Sequence, residues 1–179
     1  MNLVQDGAHV CWAFYPEVPS LLQQIRSKGL KIAVASRTHS PELAREMLSL
    51  LQLGRDEGTR GIDYFDAFEI YPGSKIAHFR SLKEKTGLEY SDMLFFDDDV
   101  EKNGEVEKQL GVQLIIVPNG LNSSVFSSGL LAWRDRRQKR AEEAKLKEGH
   151  EEAELKDGHE EAEMKEGHEE AELEGHEGK

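Results

Sequence analysis

The chain has 179 residues, 37% hydrophobic and 32% charged, with a formal net charge of −12, which suits one domain of ordinary size with an appendage. The acidity sits at one end: from Ala141 onward there are 16 acidic and 5 basic residues, leaving 19 and 18 in the rest. The near-neutral body lacks the clustered positive charge of a nucleic-acid binder, Cys11 alone excludes an internal disulfide, and no apolar run approaches the roughly 20 residues that span a bilayer.

Residues 1–9 lack the basic and apolar regions of a secretory signal. The expectation is a cytoplasmic protein, with the nucleus as the alternative because Arg134 to Arg140 is basic. After Pro16, Val18, Leu21, Leu22 and Ile25 share one helical face, and Gly29 stands at the C-terminal cap. Leu30 to Ala35 is short and apolar, the pattern of a buried parallel strand. Ser40 offers an N-cap with Pro41 at the first helical position. The helix they open is predicted to run toward Leu53 on a stripe of Leu43, Met47, Leu50 and Leu51, with Gly54 as its stop and residues 55–61 as a polar loop.

Tyr64 to Ile70 reads as a strand or packed turn, and Tyr71-Pro72-Gly73-Ser74 is turn chemistry. A helix follows with Ile76, Phe79 and Leu82 inward and Gly87 at its end. Met93 to Phe96 and Val112 to Val117 read as further buried strands, separated by an amphipathic helix that stops at Gly111. Asn119-Gly120 turns the chain into a last helix through Trp133. Helices alternating with buried strands predict an α/β fold with a parallel sheet, whose ligands sit beyond the carboxyl ends of the strands.

The tail is a nine-residue repeat: Lys147 to Leu155 recurs from Lys156 and Lys165, with a partial copy from Glu174. It carries one apolar residue larger than alanine per repeat, too few for a core. Such a tail is either disordered or a lone fraying helix. His150, His159, His168 and His176 beside glutamates offer loose divalent-metal binding; a solvated low-complexity tail is the plainer reading.

Three clusters at strand and helix ends carry chemistry. Asp97-Asp98-Asp99 after an apolar run fits a hard cation such as Mg²⁺, or equally a turn and helix N-cap. Ser36-Arg37-Thr38 fits a phosphate cradle, or plain loop capping. Lys75 sits against the positive end of a helix dipole, which fits a purpose such as neutralising phosphate, or equally a solvated surface lysine.

Taken in order, these features resemble the second to fourth motifs of the magnesium-dependent phosphatase family of the haloacid dehalogenase-like superfamily. The resemblance covers Phe14 to about Arg137. It is carried by Tyr15-Pro16-Glu17-Val18-Pro19, Ala35-Ser36-Arg37-Thr38, Glu69-Ile70-Tyr71-Pro72-Gly73-Ser74-Lys75, His78-Phe79, Lys85-Thr86-Gly87 and Phe95-Phe96-Asp97-Asp98. It implies a Rossmann-like three-layer parallel sheet in residues 1–140, followed by the acidic tail, 141–179. It implies a Mg²⁺-dependent phosphomonoesterase acting on phosphotyrosine or small phosphorylated molecules such as sugar phosphates. Ser36 and Arg37 would contact the phosphate, Lys75 would stabilise its charge as the catalytic residue present, Asp98 would bind the metal and Asp97 would assist it.

The family's first motif, D-x-D-x-T, supplies the nucleophile that forms an aspartyl-phosphate and the acid/base that follows. No D-x-D occurs in residues 1–16. The expectation is a chain lacking its first, central strand and impaired in catalysis, with exposed strand edges. It either continues further upstream in the true protein or is a truncated product. The alternative is a non-catalytic phosphate- or partner-binding protein whose acidic tail recruits basic partners.

Overall fold

The computed structural model describes residues 3–54 and 58–174, with side chains described as far as residue 149. The chain divides into two compact units, Met1–Arg134 and Asp135–Lys179.

The first unit opens with a short antiparallel pair, β1 (Val4–Gln5) and β2 (Cys11–Trp12). Its turn is organised by Asp6, whose carboxylate accepts from the N–H groups of Ala8 and Val10 and from Trp12 Nε1. The sequence reading had no strands here, because pairs this short leave no period to detect.

From there the predicted alternation appears: α1 (Val18–Ser27), β3 (Ala33–Ser36), α2 (Pro41–Leu50), β4 (Ala67–Ile70), α3 (Lys75–Thr86), β5 (Leu94–Asp97), α4 (Val100–Leu110), β6 (Gln113–Ile116) and α5 (Ser123–Glu174). Ser74 caps α3 by accepting from Ala77 N–H at 3.2 Å. Gly87 ends α3 at φ 68° and Gly111 ends α4 at φ 79°, left-handed positions where a side chain would be strained.

β3 pairs in parallel with β4, Ser36 opposite Ile70, and β5 pairs in parallel with β6, Asp97 opposite Ile116. Among the described residues these are separate two-stranded sheets. The core is built on β4, α3, β5, α4 and β6: Ala67, Ile76, Phe79, Leu82, Phe95, Val106, Val112 and Leu114. Phe79 and Phe95 meet edge-on with ring centroids 4.9 Å apart.

Two expected boundaries moved. The first parallel strand begins at Ala33 rather than Leu30, and it is only half-buried. Leu30 is exposed and Ile32 is tied instead to Asp66, whose side chain and N–H bracket its backbone. With a ladder on one side only, β3 is not enclosed as a central strand would be. α2 ends at Leu50, and its half-buried face is Ala44, Met47 and Leu48, while Leu43 and Leu50 are exposed. Leu51 and Leu53 are buried in extended chain held by a bridge from Gln52 to Arg60. A leucine-rich run satisfies helix and extended patterns alike, and tertiary burial chose between them. The expected loop 55–61 falls partly outside the described residues, and its last residue, Gly61, opens a turn of 3-10 helix, Gly61–Tyr64.

The second unit is helical as far as Glu174.

Truncating Phe79 to Ala should lower stability by about 3–5 kcal/mol through lost burial and the cavity left against Phe95. Leu131→Ala, at an exposed position, should change it by less than about 0.5 kcal/mol. Thermal or urea unfolding of the two variants checks the contrast.

Candidate active site

β3 and β5 end in the residues that matter. Ser36 closes β3, Asp97 closes β5, and Arg37 and Asp98 follow them. Lys75 enters from α3 as its first residue.

Lys75 is 3% exposed although its side chain is long and charged. Its Nζ donates to the carbonyl of Ala35 on β3 and lies 3.1 Å from Asp97 Oδ2 on β5. The ammonium also stands 5.0 Å from the centroid of the Phe95 ring, an attractive arrangement for a desolvated cation. Burial pulls its pKa below the ordinary lysine value, Asp97 works against that fall, the Arg37 charge adds to it and the Asp98 charge opposes it. The charges of Arg37, Asp97 and Asp98 are thus all felt at one ammonium.

The three consecutive aspartates have three surroundings. Asp97 bonds Lys75, and its Oδ1 accepts from Asp99 N–H at 3.0 Å. Asp98 is exposed, and no described residue hydrogen-bonds its carboxylate. Asp99 is the N-cap of α4: it accepts from Lys102 N–H at 3.0 Å, and Lys102 Nζ and Arg37 Nη2 approach it at 2.9 and 3.6 Å. Hydrogen bonding by Lys102 holds the Asp99 carboxyl below the usual range. The cap reading of the triplet therefore applies to Asp99.

Ser36 Oγ accepts from Thr38 N–H at 3.4 Å, a weak bond, and Ser36 O accepts from Tyr71 N–H at 3.1 Å. Ser36, Arg37, Lys75, Asp97 and Asp98 are thereby gathered at the carboxyl ends of two parallel strands.

Carboxylates are the right donor chemistry for Mg²⁺, which is commonly held by one or two of them and keeps several waters. Among the described residues no group of three or more His, Cys, Asp or Glu side chains converges on one point. Asp98, exposed and without a hydrogen bond, fits such a cation, with Asp97 beside it. The side chains of the tail histidines, His150 onward, lie outside the described residues.

Sequence reasoning missed three buried polar groups, on β4, α3 and α4. Glu69 is 1% exposed and bonds Lys85, Ser81 and Tyr71. Burial raises its pKa, but these hydrogen bonds outweigh it and leave the carboxyl below the ordinary 4.5. His78 is 0% exposed, its Nε2 lies 3.0 Å from Tyr71 O, and its Nδ1 has no partner among the described residues. Burial, with the nearby Lys75 and Arg37 charges, takes its pKa below 6.5. Asn103 of α4 is also fully buried, with both side-chain polar atoms unpartnered among the described residues. Glu69 and His78 stand in the segments that carry the family resemblance, but nothing in their spacing marks them as buried.

The sequence profile of the acid phosphatase family matches residues 2–136. Magnesium-dependent phosphatase 1 of Homo sapiens is 46% identical over 116 residues, covering 65% of this chain and 61% of the relative. A HAD-like hydrolase superfamily protein of Schizosaccharomyces pombe is 36% identical over 123 residues, covering 67% of this chain and 69% of the relative. The chain thus spans 61% of the length of the human relative.

Both depressed pKa values make the fold sensitive to acid. Below pH 6.5 an unfolded histidine takes a proton that buried His78 refuses, so stability falls as pH drops toward the folded-state value. Below pH 4.5 the unfolded carboxyl likewise binds a proton before Glu69 does, and stability falls again. In unfolding scans from pH 8 to pH 3, His78→Gln should flatten the first decline and Glu69→Gln the second. Unchanged slopes in both variants would contradict the assignment.

Proposed function

This chain belongs to the magnesium-dependent phosphatase family of the haloacid dehalogenase-like superfamily, and from that premise we propose that it forms the phosphate-binding and metal-binding part of a Mg²⁺-dependent phosphomonoesterase. The observation that carries the reading is the buried Lys75 ammonium between Ala35 O and Asp97, at the ends of two parallel strands and beside Arg37. Asp97 offsets the cost of burying that cation, and the ammonium, with Arg37 beside it, offers positive charge at the strand ends for a phosphate monoester.

In this reading Ser36 and Arg37 hold the phosphate and Lys75 offsets its charge as the phosphoryl group transfers. Asp98, with Asp97 beside it, holds Mg²⁺, which when bound supplies Lewis acidity at a phosphoryl oxygen. Asp97 meanwhile keeps Lys75 protonated by pairing with it. Phosphotyrosine and sugar phosphates are the substrate classes; the acidic tail, 141–179, recruits basic partners to a body of residues 1–140.

The two strand pairs are the halves of one three-layer sheet in this proposal. β3 and β5 each contribute an atom to the Lys75 ammonium at their carboxyl ends, which suits strands flanking a common position. In the family that position belongs to the strand bearing D-x-D-x-T, a motif without a counterpart in residues 1–16. The 179 residues by themselves therefore bind phosphate and turn it over slowly, since losing a covalent nucleophile costs several orders of magnitude.

The test is Mg²⁺-dependent hydrolysis of an aryl phosphate by this chain and by a form extended upstream with a D-x-D-x-T segment. The extended form should be active and the shorter one nearly silent, and Lys75→Met in the extended form should lower kcat/KM by about a hundredfold or more. Equal turnover by both forms would remove the impaired-catalysis claim. Silence in both, when both are folded, would favour a non-catalytic binding protein.

A further inference from the structure

Among the buried polar side chains that the proposed site does not use, His78 stands nearest in sequence to Lys75. His78 lies on α3, three residues after Lys75 and so on nearly the same helical face. It is fully buried, and its ring stands edge-on to Tyr71 with centroids 4.3 Å apart. A carbonyl oxygen can only accept, so the 3.0 Å approach of Nε2 to Tyr71 O puts the ring proton on Nε2. Nδ1 is then a bare lone pair, with no donor among the described residues. Protonation would place a second N–H in a site with no acceptor for it, so burial keeps the ring neutral and this one tautomer is fixed.

Tyr71 is the other half of the device. It opens the turn Tyr71-Pro72-Gly73-Ser74 that delivers Lys75, and its backbone is anchored at both polar atoms. Its N–H donates to Ser36 O at 3.1 Å, and its carbonyl takes the His78 proton. Its side chain is fixed as well, through a hydrogen bond to buried Glu69. Contacts then close a circuit: Ser36 to Tyr71, Tyr71 to His78, His78 along one helical turn to Lys75, and Lys75 Nζ back to Ala35 O, next to Ser36. Ser36 and Lys75, the groups assigned to phosphate in the reading above, come from elements about 40 residues apart in sequence, and this circuit connects them.

We infer that His78 is a positioning residue, whose Nε2–H on the Tyr71 carbonyl sets the distance between the Ser36 loop and the Lys75 ammonium. The inference rests on the phosphate-site reading above. It assigns His78 no contact with substrate; its effect passes through the turn. Small displacements at such a turn matter because charge-assisted hydrogen bonds to a phosphate are short and directional.

The substitution pair that separates geometry from bulk is His78→Gln and His78→Leu. A glutamine amide can place its Nε2–H where the imidazole Nε2–H stands, whereas leucine fills the space and donates nothing. Binding of inorganic phosphate in the presence of Mg²⁺ is measured by calorimetry on the full 179-residue chain, with thermal unfolding of each variant alongside. Phosphate affinity should fall roughly tenfold in His78→Leu, the scale of one misplaced charge-assisted contact, and stay within about threefold of wild type in His78→Gln. Independently, ¹⁵N spectra of the wild-type ring should show the proton on Nε2.

A proton on Nδ1 overturns the inference, since Nε2 could not then donate to Tyr71. A folded His78→Leu with wild-type affinity overturns it too, as does a folded His78→Gln that binds no better than His78→Leu. Should His78→Leu fail to fold, the tautomer and the glutamine variant decide. A wild-type chain that takes up no phosphate sinks the reading of the site itself, and this inference with it; the ring tautomer stays measurable in either case.

Discussion

The Lys75 ammonium is the interaction on which the site depends. Taking a lysine to near-complete burial costs several kcal/mol unless its charge and its three donors are met. Here the charge is met by a carboxylate from one strand pair, and a carbonyl from the other takes a second donor, with the Phe95 ring alongside. The same contacts join the carboxyl ends of β3 and β5, which share no ladder among the described residues. A single cation thus ties the carboxyl ends of the two strand pairs together, and in the proposed function it is also the charge a phosphate would meet.

The surrounding elements place that cation. The Phe79–Phe95 contact and the core on α3 and β5 hold the helix against the strand that ends in Asp97. Ser74 starts α3 at Lys75, so the side chain leaves at the strand ends rather than one turn further along. On the other side Asp99 starts α4 and takes up Lys102 and Arg37. Asp98 lies between a lysine-bound and a capping carboxylate, and is the one of the three left open to solvent. Consecutive aspartates at a strand end thus have three different surroundings: one pairs with Lys75, one is exposed and one caps α4.

Much of this was legible from residue order. The glycines after α3 and α4, the Ser40-Pro41 start of α2 and the apolar stripe Ile76, Phe79 and Leu82 all have local physical causes, and the folded chain places them as read, although the Ser40 side chain makes no capping hydrogen bond. The family was legible because its carrying segments are long and in order. What was illegible is what tertiary contacts decide. The leucines from Leu48 to Leu53 satisfy a helix and an extended run equally, and the burial of Leu51 and Leu53 settled it. Glu69, His78 and Asn103 are polar in sequence and buried in the fold, a state that depends on partners remote in the chain. The half-buried character of β3 follows from its single ladder, which no property of its own four residues announces.

The most direct measurement is a crystal structure of the chain grown with Mg²⁺ and tungstate, a phosphate analogue readily located by its scattering. The account predicts one anion within hydrogen-bond distance of both Lys75 Nζ and the Arg37 guanidinium, with Lys75 still in reach of Asp97. An anion bound elsewhere, with Lys75 committed to Ala35 O and Asp97 and no oxyanion near it, would contradict it.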